Sequence, residues 1–311
     1  MSTVTRLARS TRSTRHGTGT GTGTGGNAGA VRPPLGPTPR RRRRWPLLLR
    51  YAVLVAVLLV MFFPLVWQLL TSLKGPGENI YDGFLPRHPS LQAYRKVART
   101  FPLWSYLGNT LVVAALAVSS NCVFAAMGGY AMSRRGWRGR RAVHLLFVAT
   151  LMFPFESVMI SMFLAVRSMG LIDTLVGVWI PGAVSTLSIL IMRTAFLAVP
   201  DELEEAAVLD GAGEWRRFWS VYLPQTRGTL AVIAITSFIG AWDDFLWPLI
   251  ALRSNEHYTL QLGLATLSGS FTNDQRLVAA GSIIALLPIA VLFFALQRVF
   301  FQGIADGAVK A

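Results

Sequence analysis

The sequence is poor in the residues that most enzymatic and metal sites need. It has one cysteine, Cys122, so no disulfide can form within the chain, and its four histidines stand apart without metal-ligand spacing. There is no Gly-Lys dipeptide, so the phosphate-binding pattern G-x-x-x-x-G-K-[ST] is absent. The patterns H-E-x-x-H and G-x-S-x-G are absent as well. We therefore predict no catalytic site, no metal site and no cofactor in this chain.

Charge is also scarce. Charged residues make up 14% of the chain, against about 25% in an ordinary soluble domain, while 52% of its residues are hydrophobic. The apolar residues form runs long enough to cross a bilayer as helices, which takes about 20 residues. A net charge of +15 is compatible with nucleic-acid binding, but the arginines collect at the ends of apolar runs, as they do in membrane proteins. The composition therefore predicts an all-α polytopic membrane protein that does not bind nucleic acid.

The first 45 residues differ from the rest. Residues 1–45 show no apolar periodicity and include a Gly/Thr alternation over residues 17–25, so we expect a disordered, basic cytoplasmic tail. The run Arg40 to Arg44 is interpreted as an anchor near anionic membrane lipid. The apolar run after it is too long for a signal peptide and lacks a cleavage site. Residues 46–311 are therefore predicted to be the membrane domain.

Six membrane-spanning helices are predicted in that domain. Their approximate bounds are 46–70, 104–132, 142–166, 175–198, 229–252 and 278–301. Several contain proline, which membrane helices tolerate. With both termini inside, the inner segments hold 22 of the 30 Lys and Arg residues and the outer segments hold 8. This asymmetry favours an N-in, C-in topology and places the loop 199–228 in the cytoplasm.

That loop carries an unusual concentration of acid. Six of the 15 carboxylates lie between positions 201 and 214. We expect a helix over residues 201–212, with Asp201 as its cap and Glu204 in a capping-box relation. Gly211 would end the helix and permit a sharp turn. Composition alone leaves two interpretations open, an ordinary amphipathic loop or a surface that another protein grips.

The spacing of one motif favours the second interpretation. Glu205-Ala206-Ala207, then Gly211, then Val221 and Leu223-Pro224 fill every position of a known pattern. The pattern resembles the cytoplasmic EAA loop of binding-protein-dependent ABC importer permeases. Weaker motifs extend the resemblance to residues 45–311 and to the carbohydrate branch of that family, the maltose and glycerol-phosphate type: Trp67–Lys74, Asn109-Thr110, Gly170–Thr174, Phe245–Leu249 and Tyr258–Leu264.

This resemblance implies a type I ABC importer permease fold and one transmembrane subunit of an ATP-driven sugar importer in the cell membrane. It implies that ATP is bound by two separate ATPase subunits, that a second, homologous permease chain completes the pore, and that an extracytoplasmic sugar-binding protein delivers the substrate. The residues it assigns to contact with the ATPase are Glu205, Ala206, Ala207, Asp210 and Gly211.

Acidic residues within apolar spans are functional candidates, because burying charge in a membrane is expensive. Glu156 and the adjacent pair Asp243 and Asp244 qualify. They line a substrate path, face the partner permease, or only reach the outer headgroups. Neighbouring helical residues point about 100° apart, so at most one of the pair is expected to face a path. Asp243 stands where the family usually has asparagine.

The aromatic residues beside this pair admit two interpretations. Trp242, Phe245 and Trp247 are either sugar-stacking surfaces or an interfacial belt. Two rival functions also stay open. One is an ABC permease for another small solute, and the other is a self-contained secondary transporter that uses Glu156, Asp243 or Asp244 as proton or cation sites.

Overall fold

A computed structural model of the protein describes residues 45–134, 136–270 and 274–308. The predicted tail, residues 1–45, lies outside this part except for Trp45, which begins the first helix. Residues 55–311 form the larger of two compact units, and the described part of the smaller unit, residues 1–54, is the start of that helix.

The predicted all-α class is confirmed. In chain order the described elements are α1 (Trp45–Ser72), α2 (Gln92–Thr100), α3 (Leu103–Ser133), α4 (Arg140–Thr150), α5 (Phe155–Ser168), α6 (Leu175–Trp179), a 3-10 turn (Ile180–Gly182), α7 (Thr186–Leu197), α8 (Asp201–Leu209), α9 (Glu214–Arg217), a π-helical turn (Phe218–Tyr222), α10 (Leu223–Gln225), α11 (Arg227–Asp243), α12 (Leu246–Ala251), a 3-10 turn (Asn255–His257), α13 (Leu260–Ser270) and α14 (Gln275–Ala308).

Three of these helices are long and apolar enough to cross a bilayer. They are α1 over Leu49–Ser72, α3, and α14 over Gln275–Phe294. Two further apolar stretches are bent helix pairs, α4 with α5 at 101° and α6 with α7 at 46°. The predicted span over residues 142–166 is therefore not a single straight helix but two helices that meet at a bend. Pro154 lies at the break, since proline has no N–H to donate and disfavours helical geometry at the residue before it.

The predicted span over residues 229–252 is interrupted as well. α11 ends at Asp243, Asp244 has extended backbone angles (φ −67°, ψ 120°), and α12 begins at Leu246. Asp243 is therefore the last residue of a helix, whereas the adjacent Asp244 belongs to the non-helical segment that follows.

α3 lies at the centre of the larger unit, where it packs against α7 and α11. Small buried residues on α3, Ala125 and Ala126, contact Met192 and Phe196 of α7 in an apolar cluster. Small side chains let two helix backbones approach closely, as is common in membrane bundles. α3 and α7 therefore form a tightly packed pair.

At the other end of α3, side chains tie the helix to the segment before α13. The amide of Asn109 donates hydrogen bonds to the carbonyls of Glu256 (2.8 Å) and Tyr258 (3.0 Å). The hydroxyl of Thr110 accepts one from the N–H of Leu260 at 2.8 Å. These contacts give two of the weaker sequence motifs a shared structural role.

Asp173 joins the loop after α5 to the loop after α12. Its carboxylate accepts hydrogen bonds from the backbone N–H groups of Arg253 (2.9 Å) and Ser254 (3.0 Å) and from the Ser254 hydroxyl. The hydroxyl and backbone hydrogen bonds of Ser254, together with that of Arg253, hold the pKa of the Asp173 carboxyl well below its usual range. The loop ends at this side of the molecule are therefore fixed by an ionised carboxylate.

Candidate functional site

Helix α8 lies at the surface of the protein. None of its nine residues is buried, and the side chain of Leu209 is 88% exposed. Three acidic residues lie in its first turn, where they complement the positive end of the helix dipole. An amphipathic helix whose large apolar side chains, Leu203, Val208 and Leu209, are exposed is suited to contact with another surface.

The start of α8 differs from the predicted capping box. Pro200 occupies the N-cap position, and no side chain caps the helix there. Asp201 is the first helical residue because Pro200 takes the extended conformation that precedes a helix. Glu204 is therefore free of a capping role, and its carboxylate is used elsewhere.

The end of α8 is a glycine-dependent turn. Gly211 has a φ of +73°, and the N–H of Ala212 donates to the carbonyl of Ala207 (2.9 Å) while that of Gly211 donates to Val208 (3.0 Å). This pair of bonds is the Schellman motif, which favours glycine because other residues are strained at positive φ. The expected turn at Gly211 is thus present, although the helix ends at Leu209 rather than at residue 212.

The five residues assigned to ATPase contact all lie on α8 or its terminal turn. Glu205, Ala206, Asp210 and Gly211 are exposed, and Ala207 is half-buried. Within residues 45–134, 136–270 and 274–308, the carboxylates of Glu205 and Asp210 make no hydrogen bond or ion pair. They are therefore available to a partner.

Glu204, next to Glu205, is in a different position. Its Oε1 accepts hydrogen bonds from Nη1 of Arg134 (2.6 Å) and Nη1 of Arg217 (2.9 Å), and its Oε2 accepts one from the hydroxyl of Tyr222 (2.7 Å). The Arg134 guanidinium also lies 4.2 Å from the Tyr222 ring centroid. We refer to Arg134, Glu204, Arg217 and Tyr222 as the Glu204 cluster.

The charges in the Glu204 cluster reinforce each other. Burial alone would raise the pKa of Glu204, but hydrogen bonds from Tyr222 and Arg134, with the charges of Arg134 and Arg217, lower it below its usual value. Burial likewise would lower the pKa of Arg134, and its hydrogen bonds to Glu204 and Tyr222 raise it instead. At neutral pH the cluster therefore holds one carboxylate between two guanidinium groups.

Sequence reasoning missed this cluster. Arg134 was counted only among the basic residues that indicate topology, and Glu204 was assigned to a capping box with Asp201. The cluster borders a cavity of about 900 Å³ beside α8. Its lining comes from the ends of α3 and α7, from α8 and from residues 214–222, and includes Trp137, Leu197, Glu205, Val208 and Leu209.

A second cavity, of about 470 Å³, lies among α3, α5, α7 and α11. Asp244 and Trp247 line it, with Phe155 and a set of small polar side chains: Asn121, Ser185, Ser188, Thr236 and Ser237. Trp247 is held by a hydrogen bond from its Nε1 to the carbonyl of Gly177 (3.1 Å). The lining therefore combines one carboxylate, aromatic side chains and small polar side chains with many apolar ones.

The other three path candidates lie outside this lining. Asp243 is exposed and makes only a 3.5 Å contact with Nε2 of Gln261. Trp242 is fully buried in the core, stacked on Phe238 with ring centroids 5.4 Å apart. Glu156 is exposed in the first turn of α5. The structure thus separates Asp244 from its neighbours, and Asn121 and the serines, hidden in apolar runs, are residues that sequence reasoning missed.

Comparison with known proteins gives a match to a protein family and to curated relatives. Residues 123–306 match the family described as binding-protein-dependent transport system inner membrane component. The chain is 34% identical over 253 residues to the arabinooligosaccharides transport system permease protein AraQ of Halalkalibacterium halodurans, covering 80% of this chain and 91% of that one. It is 31% identical over 279 residues to the lactose transport system permease protein LacG of Rhizobium radiobacter, covering 86% and 98%.

Solved structures agree with the sequence comparison. The chain resembles the crystal structure of a bacterial ABC transporter involved in the import of the acidic polysaccharide alginate, with a TM-score of 0.74 and 25% identity over 85% of this chain and 99% of that one. A second similar structure is a bacterial alginate ABC transporter in complex with an alginate pentasaccharide-bound periplasmic protein. Its TM-score is 0.60 at 15% identity over 83% of this chain and 96% of that one, which supports the fold.

Proposed function

The chain belongs to the family of binding-protein-dependent transport system inner membrane components, and we propose that α8 couples it to the ATPase subunits of the importer it serves. It is a permease of a carbohydrate importer in the membrane, and it is not an enzyme. The observation that carries this conclusion is similarity to sugar permeases over 80–86% of the chain. The chemistry of ATP hydrolysis belongs to other subunits, and no cofactor is proposed for this one.

The coupling role rests on the exposure of α8. Glu205 and Asp210 present unpaired carboxylates, and Ala206 and Ala207 are small enough for close approach. Gly211 ends the helix without a side chain in the way. Two ATP-binding subunits, one per permease, would each receive such a helix, so that ATP-driven closure displaces α8. This is a two-state device whose equilibrium is set by a ligand bound elsewhere.

The topology proposed is six spans with both termini in the cytoplasm. Three helices and two bent pairs give up to five spans by length and apolarity, and α11 with α12 would supply the remaining one. The 22-to-8 distribution of basic residues supports the orientation. In this orientation α8 would lie in the cytoplasm. The Asn109 and Asp173 contacts would lie at the outer surface of the membrane.

Each partner we propose would contact a different surface of the chain in this topology. A binding protein outside would dock on the end that Asn109 and Asp173 order, and a solved relative of the fold is bound to a periplasmic protein. A second, homologous permease chain would cover apolar surface that this chain leaves exposed. The relatives named for arabinooligosaccharide and lactose transport favour an oligosaccharide as the substrate.

The substrate path we propose runs along the second cavity. Asp244 would accept hydrogen bonds from sugar hydroxyls, since charge-assisted bonds are roughly twice as strong as neutral ones. Phe155 would offer a ring face, and Trp247, whose side chain is almost fully buried, would support the wall. Asp243 and Glu156, which are exposed nearby, would act at its rim or toward the partner permease, and Trp242 would support the wall from the core.

The test is uptake by the full complex, reconstituted in vesicles loaded with ATP. We expect sugar uptake that requires ATP and persists with an uncoupler. Glu205→Lys should abolish it, because truncating or reversing one member of a desolvated charge pair typically costs about 2–5 kcal/mol. Glu205→Asp, which keeps the charge, should retain part of it. Uptake that needs no ATP and stops with the uncoupler would instead identify a secondary transporter.

A further inference from the structure

The Glu204 cluster attaches α8 to the rest of the protein. Because none of the residues of α8 is buried, apolar packing contributes little to its placement. Glu204, by contrast, is only 26% exposed at its side chain and is bonded to side chains from two other segments. The position of α8 therefore depends on a polar contact.

That contact leads directly to a membrane span. Arg134 is the C-cap of α3, and its backbone N–H still donates to the carbonyl of Tyr130 (3.3 Å). Its guanidinium therefore moves with the helix end. The other side of the cluster, Tyr222, packs its ring against Tyr130 and Phe196 with centroids 5.3 and 6.0 Å apart. The cluster thus lies over a floor of aromatic side chains shared by α3, α7 and the π-helical turn.

We propose that Glu204 is a positioning residue that transmits the movement of α8 to α3. Glu205 and its exposed neighbours would contact the ATPase subunits. Glu204 would then transmit the displacement of α8 to α3 through Arg134. The inference rests on the proposed coupling role of α8 and divides it between two adjacent carboxylates. One faces the partner, and the other faces the chain's own span.

The first measurement is the amount of sugar imported per ATP hydrolysed by the reconstituted complex carrying Glu204→Gln. The amide keeps the size of the side chain but leaves Arg134 and Arg217 without the charge between them. We expect the ATP-binding subunits to co-purify and ATP hydrolysis to continue, while sugar imported per ATP falls by about tenfold. Tyr222→Phe, which removes one hydroxyl and keeps the ring, should give a smaller loss.

A second measurement separates transmission from a merely structural role. In a Cys122→Ser background, Arg134→Cys and Glu204→Cys are combined and joined by a bifunctional methanethiosulfonate, which reduction releases. If the cluster transmits movement, the joined complex regains sugar import per ATP and loses it again on reduction. A joined complex that does not regain sugar import per ATP would overturn the inference.

The outcomes are distinct from those that test the coupling role itself. An unchanged ratio of import to hydrolysis in Glu204→Gln would overturn the inference, as would loss of subunit assembly in that variant. Normal uptake in Glu205→Lys would overturn the coupling role of α8. Loss of uptake in Glu205→Lys together with normal coupling in Glu204→Gln would remove only the inference about Glu204.

Discussion

Gly129 of α3 lies directly against Met192 of α7. A Cβ atom on Gly129 would stand 2.9 Å from the Cβ of Met192 and 2.8 Å from the backbone nitrogen of Arg193. Met192 is fully buried, so neither side of this contact has space to move into. The two helices therefore touch backbone to backbone just above the Glu204 cluster.

Gly129→Ala should destabilise the protein, because it would force α3 and α7 apart. Overpacking of this kind typically costs about 1–3 kcal/mol. Gly128→Ala is the matched control, since the atoms nearest to its Cβ would belong to the side chain of Ile189, at 3.3 Å and beyond, and not to backbone, and alanine is the better helix former. The measurement is thermal unfolding in detergent. Equal melting temperatures for the two variants would show that the close contact is absent.

The turn after α8 should depend on Gly211 and not on Gly213. Gly211→Ala places a side chain at a φ of +73°, which costs about 1–2 kcal/mol, although its Cβ meets no atom within 4 Å. Gly213→Ala, at an ordinary φ of −68° and also in open space, should be silent. Hydrogen exchange of the last amides of α8 should accelerate by about tenfold in the first variant only. Equal exchange would contradict the Schellman turn.

Asp244 and Asp243 should differ in their effect on substrate. Asp244→Asn removes the carboxylate from the cavity wall, and we expect the uptake rate or the preference among sugars to change by about tenfold. Asp243→Asn, outside that wall, should leave both nearly unchanged. The measurement is uptake of several labelled oligosaccharides by the complex, with assembly checked by co-purification. A larger effect at Asp243 would place the path on the other side of α11.

The hydrogen bonds that the Asp173 carboxylate accepts from Arg253 and Ser254 should persist in mild acid. Because the folded-state pKa is lowered, the stabilisation is fully present above the unfolded value of about 3.9 and is lost only as pH falls through the folded pKa. The difference in melting temperature between the natural protein and Asp173→Asn should therefore be constant from about pH 7 to 5. His257, whose Nδ1 lies 3.4 Å from Asp173, is the nearby titratable group, so the series is repeated in His257→Gln. A difference that disappears by pH 5 in both backgrounds would contradict the lowered pKa.

Thiol labelling of intact cells tests the topology. In a Cys122→Ser background, Gly136→Cys and Gly213→Cys should be shielded from a membrane-impermeant reagent. Asn255→Cys should be labelled, because the orientation places that loop outside. Labelling at Gly213→Cys from outside would reverse the orientation and with it the place of α8.

Local signals predicted much of α8. Pro200, the acids just after it and Gly211 are close in sequence and act on the same helix, so their pattern is readable along the chain. Glu204 and Arg134 are 70 positions apart, and nothing in either local pattern specifies that they meet. Long-range polar contacts of this kind require the packing of α3 and α7 to be known first.

Helix breaks inside apolar runs were harder to predict. Apolar residues lie on both sides of Pro154 and of Asp244, so an average over the run does not register a bend. The rule that adjacent helical side chains point about 100° apart predicted that at most one of the pair at 243 and 244 faces a path. Asp244 alone lines the second cavity, and this follows from the end of α11 at Asp243, which the sequence does not mark.

The π-helical turn at Phe218–Tyr222 makes this loop sensitive to insertion and deletion. A π-bulge holds one residue more than the α-helical turn it replaces. Each residue added to or removed from a helix rotates the downstream residues by about 100° and shifts them by about 1.5 Å. Loss of the exposed Ser220 would therefore turn Tyr222 away from Glu204, while substitution of Ser220 would not. The fixed interval between Gly211 and Val221 is accordingly a constraint on length, which holds whatever side chains fill it.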